Sequence, residues 1–290
     1  TRSLIVTGVQ TCALPICYDY FVLEISSFQL HYSGEFNPVA SAFLNLAPDH
    51  IDWHGSEQAY FEAKAKVYQG TELAIVYNAE DSKTLEAAEA ADVVEGCRAV
   101  AFTTAMPSVS MVGYVEEFLV DRAFTSERYS AALEIADDSD LAAIGVVSDH
   151  LKANVAAATA LARAVDVEPA AIKRAIASFV LSPHRIQRVI EHQEVLFIDD
   201  SKATNAHAAN ASLASFDSIV WIVGGLLKGV DPTPLLLEHG GKLRAAVVIG
   251  ADTQQLESLF ATHLPGLPLR VISGERVMEQ AVAAALDFAQ

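Results

Sequence analysis

Past residue 183 the chain alternates short apolar runs with helix-forming stretches, and this alternation limits the fold more than any other feature. Val195–Asp199, Ile219–Val223, Ala246–Ile249 and Leu269–Ile272 are short and apolar, as expected of buried strands. Between and after them lie Ala206–Ser215, Pro234–His239, Thr253–Phe260 and Arg276–Phe288, which read as helices. Strand, helix, strand, helix predicts a parallel sheet joined by right-handed crossovers, a Rossmann-like domain.

A chain of 290 residues is long for one ordinary core, so a second domain is expected upstream. The junction falls at Leu181-Ser182-Pro183, because proline disfavours helix in the residue before it. Tyr20–Ile25 reads as a buried strand, Val39–Leu46 as a second and Leu73–Tyr77 as a third. Ser56 suits a helix N-cap, and a helix from Glu57 to about Gln69 would place Tyr60, Lys64 and Val67 on one face. An Ala/Glu-rich helix follows from Ser82 to about Ala91. Residues 98–147 carry only short β-type pieces, Ala99–Phe102, Tyr114–Val120 and Ala131–Ile135, which suggest strands or a hairpin region. Leu151–Phe179 reads as two Ala-rich helices broken at Glu168-Pro169, proline being suited to a helix start.

Composition narrows the function classes. At 52% hydrophobic and 19% charged residues the chain is globular. Nineteen basic against 37 acidic residues give a net charge of −18, which argues against a nucleic-acid partner because affinity there comes from Lys/Arg contacts. No apolar run reaches the roughly 18 residues of a membrane span, and residues 1–6 do not form a signal peptide. Cys12, Cys17 and Cys97 fit neither a disulfide framework nor a metal-ligand spacing. A reduced, cytoplasmic, monomeric protein is expected.

Five segments and one lone lysine carry chemistry. Ile198-Asp199-Asp200-Ser201-Lys202-Ala203-Thr204-Asn205 passes from an apolar run into carboxylates, hydroxyls, an amine and an amide. Ligands in open α/β sheets bind beyond the carboxyl ends of strands, although a plain surface loop has the same composition. Asp49, His50, Asp52 and His54 stand within six residues, either as ligands of a divalent metal or as a locally hydrogen-bonded loop. Glu24 ends an apolar run before Ser26-Ser27-Phe28-Gln29, where a lone charge is costly unless it is paired, metal-bound or facing water at a sheet edge. Lys64 alone reads as a solvated helix lysine. Arg185, in Pro183-His184-Arg185, suits either a bidentate phosphate contact or an interdomain ion pair. The fifth segment, Val223-Gly224-Gly225-Leu226-Leu227-Lys228-Gly229, is a weak phosphate motif because it lacks the Lys-Ser/Thr ending of a P-loop.

In order along the chain, several longer segments resemble the Mur ligases, ATP-dependent amide ligases of peptidoglycan precursor synthesis. They are Leu23–Gln29, Leu44–Ser56, Tyr60–Lys64, Pro183–Arg185, Asp199–Asn205 and Gly224–Lys228. The resemblance begins at about Tyr18 and runs to the C-terminus. Ser-Ser-Phe-Gln and Asp-Ser-Lys-Ala-Thr-Asn favour the branch that adds D-glutamate to UDP-N-acetylmuramoyl-L-alanine through an acyl phosphate. The resemblance implies an α/β fold: a partial central P-loop-type ATPase domain at 18–180, then a truncated Rossmann-like C-terminal domain at 181–290. It implies ATP and Mg²⁺ (or Mn²⁺) as cofactors, with Glu24, His50 and a carbamylated Lys64 as metal ligands. Lys64, His50 and Lys202 would be catalytic. Asn154, Arg185, Asp200 and Lys202 would bind ATP, and Ser26, Gln29, Thr204 and Lys228 would meet the UDP-muramoyl substrate or D-glutamate.

The chain also departs from the family. Residues 1–17 match no part of it and read as a non-native segment. The family's Gly-x-x-Gly-Lys-Thr/Ser loop, its N-terminal domain and its last C-terminal segment are absent from this sequence, so no turnover is expected from these 290 residues alone. Leu151 follows His150 where the family usually has Asn. Rival readings are a sibling Mur ligase, a folylpolyglutamate synthase, a non-catalytic nucleotide-binding module, and a metallohydrolase built on Asp49, His50, Asp52 and His54.

Overall fold

The computed structural model describes residues 3–7, 19–204, 206–224 and 231–290; of 3–7 and 207 it describes the backbone only. The chain divides into two compact units, one made of Thr1–Leu141 with Leu151–Ala177, the other of Ala142–His150 with Ser178–Gln290. Both mix helices with parallel strands, so the chain is α/β.

The first unit holds β1 (Ser3–Thr7), β2 (Tyr20–Glu24), α1 (Ser27–Tyr32), β3 (Ala40–Phe43), α2 (Ile51–His54), α3 (Glu57–Ala65), β4 (Ala74–Asn78), α4 (Ser82–Glu89) and β5 (Arg98–Phe102). It continues with β6 (Met111–Val115), β7 (Phe118–Asp121), β8 (Leu133–Asp137), α5 (Asp138–Ala142), α6 (Asp149–Ala164) and α7 (Pro169–Ser178), the two units meeting within α5, at the start of α6 and at the last residue of α7. Six strands form one sheet in the order β3-β4-β5-β6-β7-β8. The pairs up to β5–β6 are parallel, and β6–β7 and β7–β8 are antiparallel. Ala74, Ile75 and Val76 of β4 and Val100, Ala101 and Phe102 of β5 are consecutive and all buried, the pattern of parallel strands covered on both faces. Phe43, Phe61, Tyr68, Ile75 and Ala87 pack as one cluster on that sheet, and the Tyr68 hydroxyl donates to the Val76 carbonyl at 2.8 Å.

One expectation needs correction here. Tyr20–Glu24 is a strand, but all five of its residues are exposed: among the described residues it pairs, in parallel, with β1 and does not join the six-stranded sheet. A continuous apolar run reports what a strand is suited to, and burial also requires covering layers. Ser3–Thr7, within the segment set apart above, is that partner strand. Of the strand and hairpin readings of 98–147, Tyr114–Val120 takes the second, as the hairpin β6–β7 closing Val115 on Phe118. Its turn residue Glu116 takes φ of 54° without the Gly or Asn that usually marks such a turn.

The second unit holds β9 (Gln187–His192), β10 (Val195–Asp199), α8 (Ala206–Ala214), β11 (Ile219–Gly224), α9 (Thr233–His239), β12 (Leu243–Ile249), α10 (Thr253–His263), β13 (Leu269–Val271) and α11 (Val277–Ala289). β11, β12 and β13 form the expected parallel sheet, with Leu213, Leu235, Leu236, Val248, Leu256 and Phe260 packed in one cluster and Val247, Ala281 and Ala284 in another. β10 is the exception, because it pairs antiparallel with β9, a strand the sequence did not disclose. Gln193 and Glu194, at φ of 52° and 62°, close that hairpin, and neither residue type signals a turn. Gly224 has a structural explanation. A Cβ there would lie 1.9 Å from the Ile249 carbonyl oxygen, so strand packing alone demands glycine at the head of the segment read as a weak phosphate motif.

One buried ion pair ties the end of β7 to α6. Asp121 is fully buried and accepts from Arg163 Nε at 3.0 Å and from the Ala123 and Phe124 amides at 2.6 and 2.8 Å. Arg163→Ala would leave a buried carboxylate without its cation, and a loss of about 3 kcal/mol is expected, read as a fall in the urea unfolding midpoint. A midpoint shift under a quarter of that would show the pair to be dispensable.

Candidate functional site

The polar side chains singled out in the sequence gather at two places, one in each unit. In the first unit the chain leaves β2 through Glu24 and enters α1 at Ser26. Glu24 is exposed at its strand end, so its charge bears no burial cost. Ser26 caps α1: its hydroxyl accepts from the Gln29 amide at 3.3 Å, while Gln29 Oε1 accepts from the Ser26 amide at 2.8 Å. This reciprocal capping box satisfies two otherwise orphaned donors. The two expected substrate contacts therefore hold each other in the structure.

Ser27 is buried, and its hydroxyl meets His54 Nε2 at 3.0 Å. His54 sits among rings: Trp53 at 4.6 Å, Tyr60 at 5.2 Å and Phe28 at 5.6 Å between centroids. Desolvation first, then the neighbouring His31 and His50 imidazoles, hold its pKa below the ordinary histidine value. The imidazole is therefore neutral at pH 7. His50 occupies the left-handed region at φ of 52° immediately before α2, with its ring 4.9 Å from Phe28. Asp49 accepts from the His50 amide at 2.9 Å, and Asp52 is exposed. Among the described residues no three His, Cys, Asp or Glu side chains converge on a common cation position. The four-ligand hydrolase reading therefore loses its ligand set, because His54 is drawn to Ser27 and into the aromatic cluster.

Lys64 is the unusual group of this cluster. α3 carries it half-buried, with Nζ 5.4 Å from the Phe43 ring centroid and 5.6 Å from that of Tyr60. Among the described residues its amine has no hydrogen-bond or ion-pair partner. Burial lowers its pKa, and the Asp49 carboxylate opposes that shift. Burial, then Asp49, raises the pKa of the Tyr60 phenol alongside. This amine is partly desolvated, unlike the solvated helix lysine its spacing alone suggests. His31, Phe28 and Tyr60 were not singled out as site residues. The i, i+3 spacing of Phe28 and His31 on α1 was the available signal.

In the second unit two loops are cross-linked. Ile186 donates its amide to Asp200 Oδ1 at 3.0 Å, and Lys202 donates its amide to the His184 carbonyl at 3.1 Å. The His184 imidazole Nδ1 lies 2.7 Å from Asp199 Oδ2, while Asp199 Oδ1 accepts from the Ser201 amide at 2.9 Å. The hydrogen bond from His184, followed by that from Ser201, lowers the Asp199 pKa. Arg185 and Lys202 are exposed on these loops, and neither side chain has a partner among the described residues. These two cross-links place Arg185, Asp200 and Lys202 on adjoining loops. Thr204 is exposed just beyond, its amide donating to the Lys202 carbonyl at 2.9 Å. Asn154 is exposed on α6 in the first unit. Lys228 and Asn205 lie outside the described residues.

The model of the Mur ligase middle domain matches residues 8–162, beginning inside the segment expected to be non-native. The chain is 47% identical over 282 residues to the UDP-N-acetylmuramoylalanine–D-glutamate ligase of Leifsonia xyli subsp. xyli, covering 94% of this chain and 54% of that protein. To the protein of the same name from Streptomyces coelicolor it is 45% identical over 252 residues, covering 87% of this chain and 53% of that one. The chain spans about half the length of the curated relatives it matches. In fold it is similar to MurF from Acinetobacter baumannii, with a TM-score of 0.57 and 18% identity over 92% of this chain and 64% of that one.

The setting of Lys64 sets its titration. After reductive ¹³C-methylation, the Lys64 signal should titrate below the ordinary lysine value of 10.5. Asp49→Asn should lower it further by removing the carboxylate that favours the charged form. A Lys64 signal titrating with the surface lysines would overturn the desolvated setting.

Proposed function

Because the chain belongs to the Mur ligase family, we propose that its activity is that of the D-glutamate-adding ligase. In this reaction the carboxylate of UDP-N-acetylmuramoyl-L-alanine attacks the γ-phosphate of ATP, giving an acyl phosphate and ADP. The amine of D-glutamate then attacks the acyl carbon, forming the amide and releasing phosphate. The carrying observation is the 47% identity to a protein of that name across 94% of this chain. The protein is proposed to act as a cytoplasmic monomer on small molecules; no described helix is long and apolar enough to cross a membrane.

The residues take roles that fit their settings. Arg185 and Lys202, both without partners among the described residues, would meet ATP phosphates, with Asp200 and Asn154 as further nucleotide contacts. Ser26 and Gln29 would hold the muramoyl substrate, and Thr204 and Lys228 the incoming D-glutamate. Glu24 and His50 would hold Mg²⁺ (or Mn²⁺), which when bound neutralises charge on the transferring phosphoryl group. A positively charged Lys64 could not ligate such a cation. Its desolvated amine instead suits addition to CO₂, in which the nitrogen lone pair bonds carbon, one proton leaves, and a carbamate supplies anionic oxygens.

Two measurements test this reading. ¹³C-bicarbonate should give a carbamate resonance that disappears in Lys64→Arg and fades as pH falls and the amine protonates; an unchanged spectrum in the variant would remove Lys64 from the role. ADP release should depend on D-glutamate when a protein of the relatives' full length carrying these residues is supplied with ATP and UDP-N-acetylmuramoyl-L-alanine. In that protein Lys202→Ala should lower kcat by at least about a hundredfold. Release that follows another amino acid instead would assign the chain to a sibling ligase.

A further inference from the structure

Arg185 stands between two residues in left-handed backbone conformation, His184 at φ of 67° and Ile186 at φ of 44°. Histidine tolerates that region, but a β-branched isoleucine there is a true outlier. Strain of this kind persists only where surrounding contacts over-determine it, and it gathers at ligand clamps. Here the contacts are explicit. The Ile186 amide is held by Asp200, the His184 carbonyl by the Lys202 amide, and the His184 amide by Gln187 Oε1 at 3.0 Å. The remaining link joins side chains, from His184 Nδ1 to Asp199 Oδ2 at 2.7 Å.

We propose that His184 is a positioning residue: through Asp199 it locks the strained His184–Ile186 turn and thereby aims the Arg185 guanidinium alongside Lys202. The inference rests on the nucleotide-phosphate reading of Arg185. Asp199 is suited to the part because both of its oxygens are engaged within the clamp, one by Ser201 and the other by His184. Asp200, one residue on, spends one oxygen on Ile186. The adjacent carboxylates thus divide the work, Asp199 bracing the imidazole and Asp200 the turn backbone. The pair is more than half exposed on the histidine side, so it adds little to global stability. Its effect is local, on the orientation of one arginine.

The test uses the whole chain, ¹⁵N-labelled, with ADP as the probe. His184→Ala and Asp199→Ala should each raise amide exchange at Ile186 and Lys202 by about tenfold and weaken ADP binding by about the same factor, which corresponds to one oriented contact. The double variant should be no worse than either single one, and the melting temperature should not move. Asp199→Asn, which retains an acceptor, should restore most of both effects. Unchanged exchange at Ile186 and Lys202 overturns the proposal, and so does faster exchange with ADP affinity intact, which would make the link merely structural. If Arg185→Ala binds ADP as the parent chain does, or the parent shows no ADP-induced shift at Arg185, the nucleotide reading fails. Exchange alone then decides whether His184 holds the turn.

Discussion

A parallel sheet covered on both faces leaves polar chemistry only the strand ends, and the rest of this molecule follows from that constraint. Ala74-Ile75-Val76 and Val100-Ala101-Phe102 admit no charged group between them, since an unpaired polar atom there would forfeit its hydrogen bonds to water. Several of the groups with a chemical reading sit where a strand ends or a helix begins, whereas Lys64 and Asn154 lie within α3 and α6. Ser26 and Gln29 follow β2, Asp49 to His54 follow β3, and Asp200 to Thr204 follow β10. This is the general placement of ligand sites in open α/β sheets. β2 shows the same rule from the other side, because its apolar residues are exposed where they pair only with β1.

Desolvation then decides what the groups at those ends can do. Lys64 and His54 both have lowered pKa values, by burial against the opposing Asp49 carboxylate in one case and by desolvation followed by the neighbouring His31 and His50 imidazoles in the other. Arg185 and Lys202 stand in the opposite setting, exposed and charged on loops whose own hydrogen bonds are met by backbone and by Asp199 and Asp200. A half-buried amine and an exposed pair of cations thus arise from one fold by different degrees of exposure.

Strain marks the second site as clearly as charge does. Two left-handed residues flank Arg185, and the bonds that hold them come from the very loop whose polar sequence first drew notice. Gly224 shows the converse: a glycine in an apparent phosphate turn that the Ile249 carbonyl already requires. Geometry therefore strengthens one motif and supplies a bland account of part of another.

The sequence by itself determined the strand–helix alternation from β11 onward, the parallel sheet of β11, β12 and β13, the Ser56 cap and the break at Pro169, because periodicity and capping chemistry act within a few residues. It also pointed to most of the candidate residues, since polar side chains placed directly after apolar runs are a local pattern. Only the tertiary structure decided the hairpins at Glu116 and at Gln193-Glu194, whose turns lack Gly or Asn, and the exposure of β2, which depends on what lies against it. The surroundings of Lys64, the engagement of His54 with Ser27, and the pairing of His184 with Asp199 were likewise decided there. Lys64 and His54 owe their lowered pKa values to side chains brought together by packing, and no short-range pattern encodes burial of that kind.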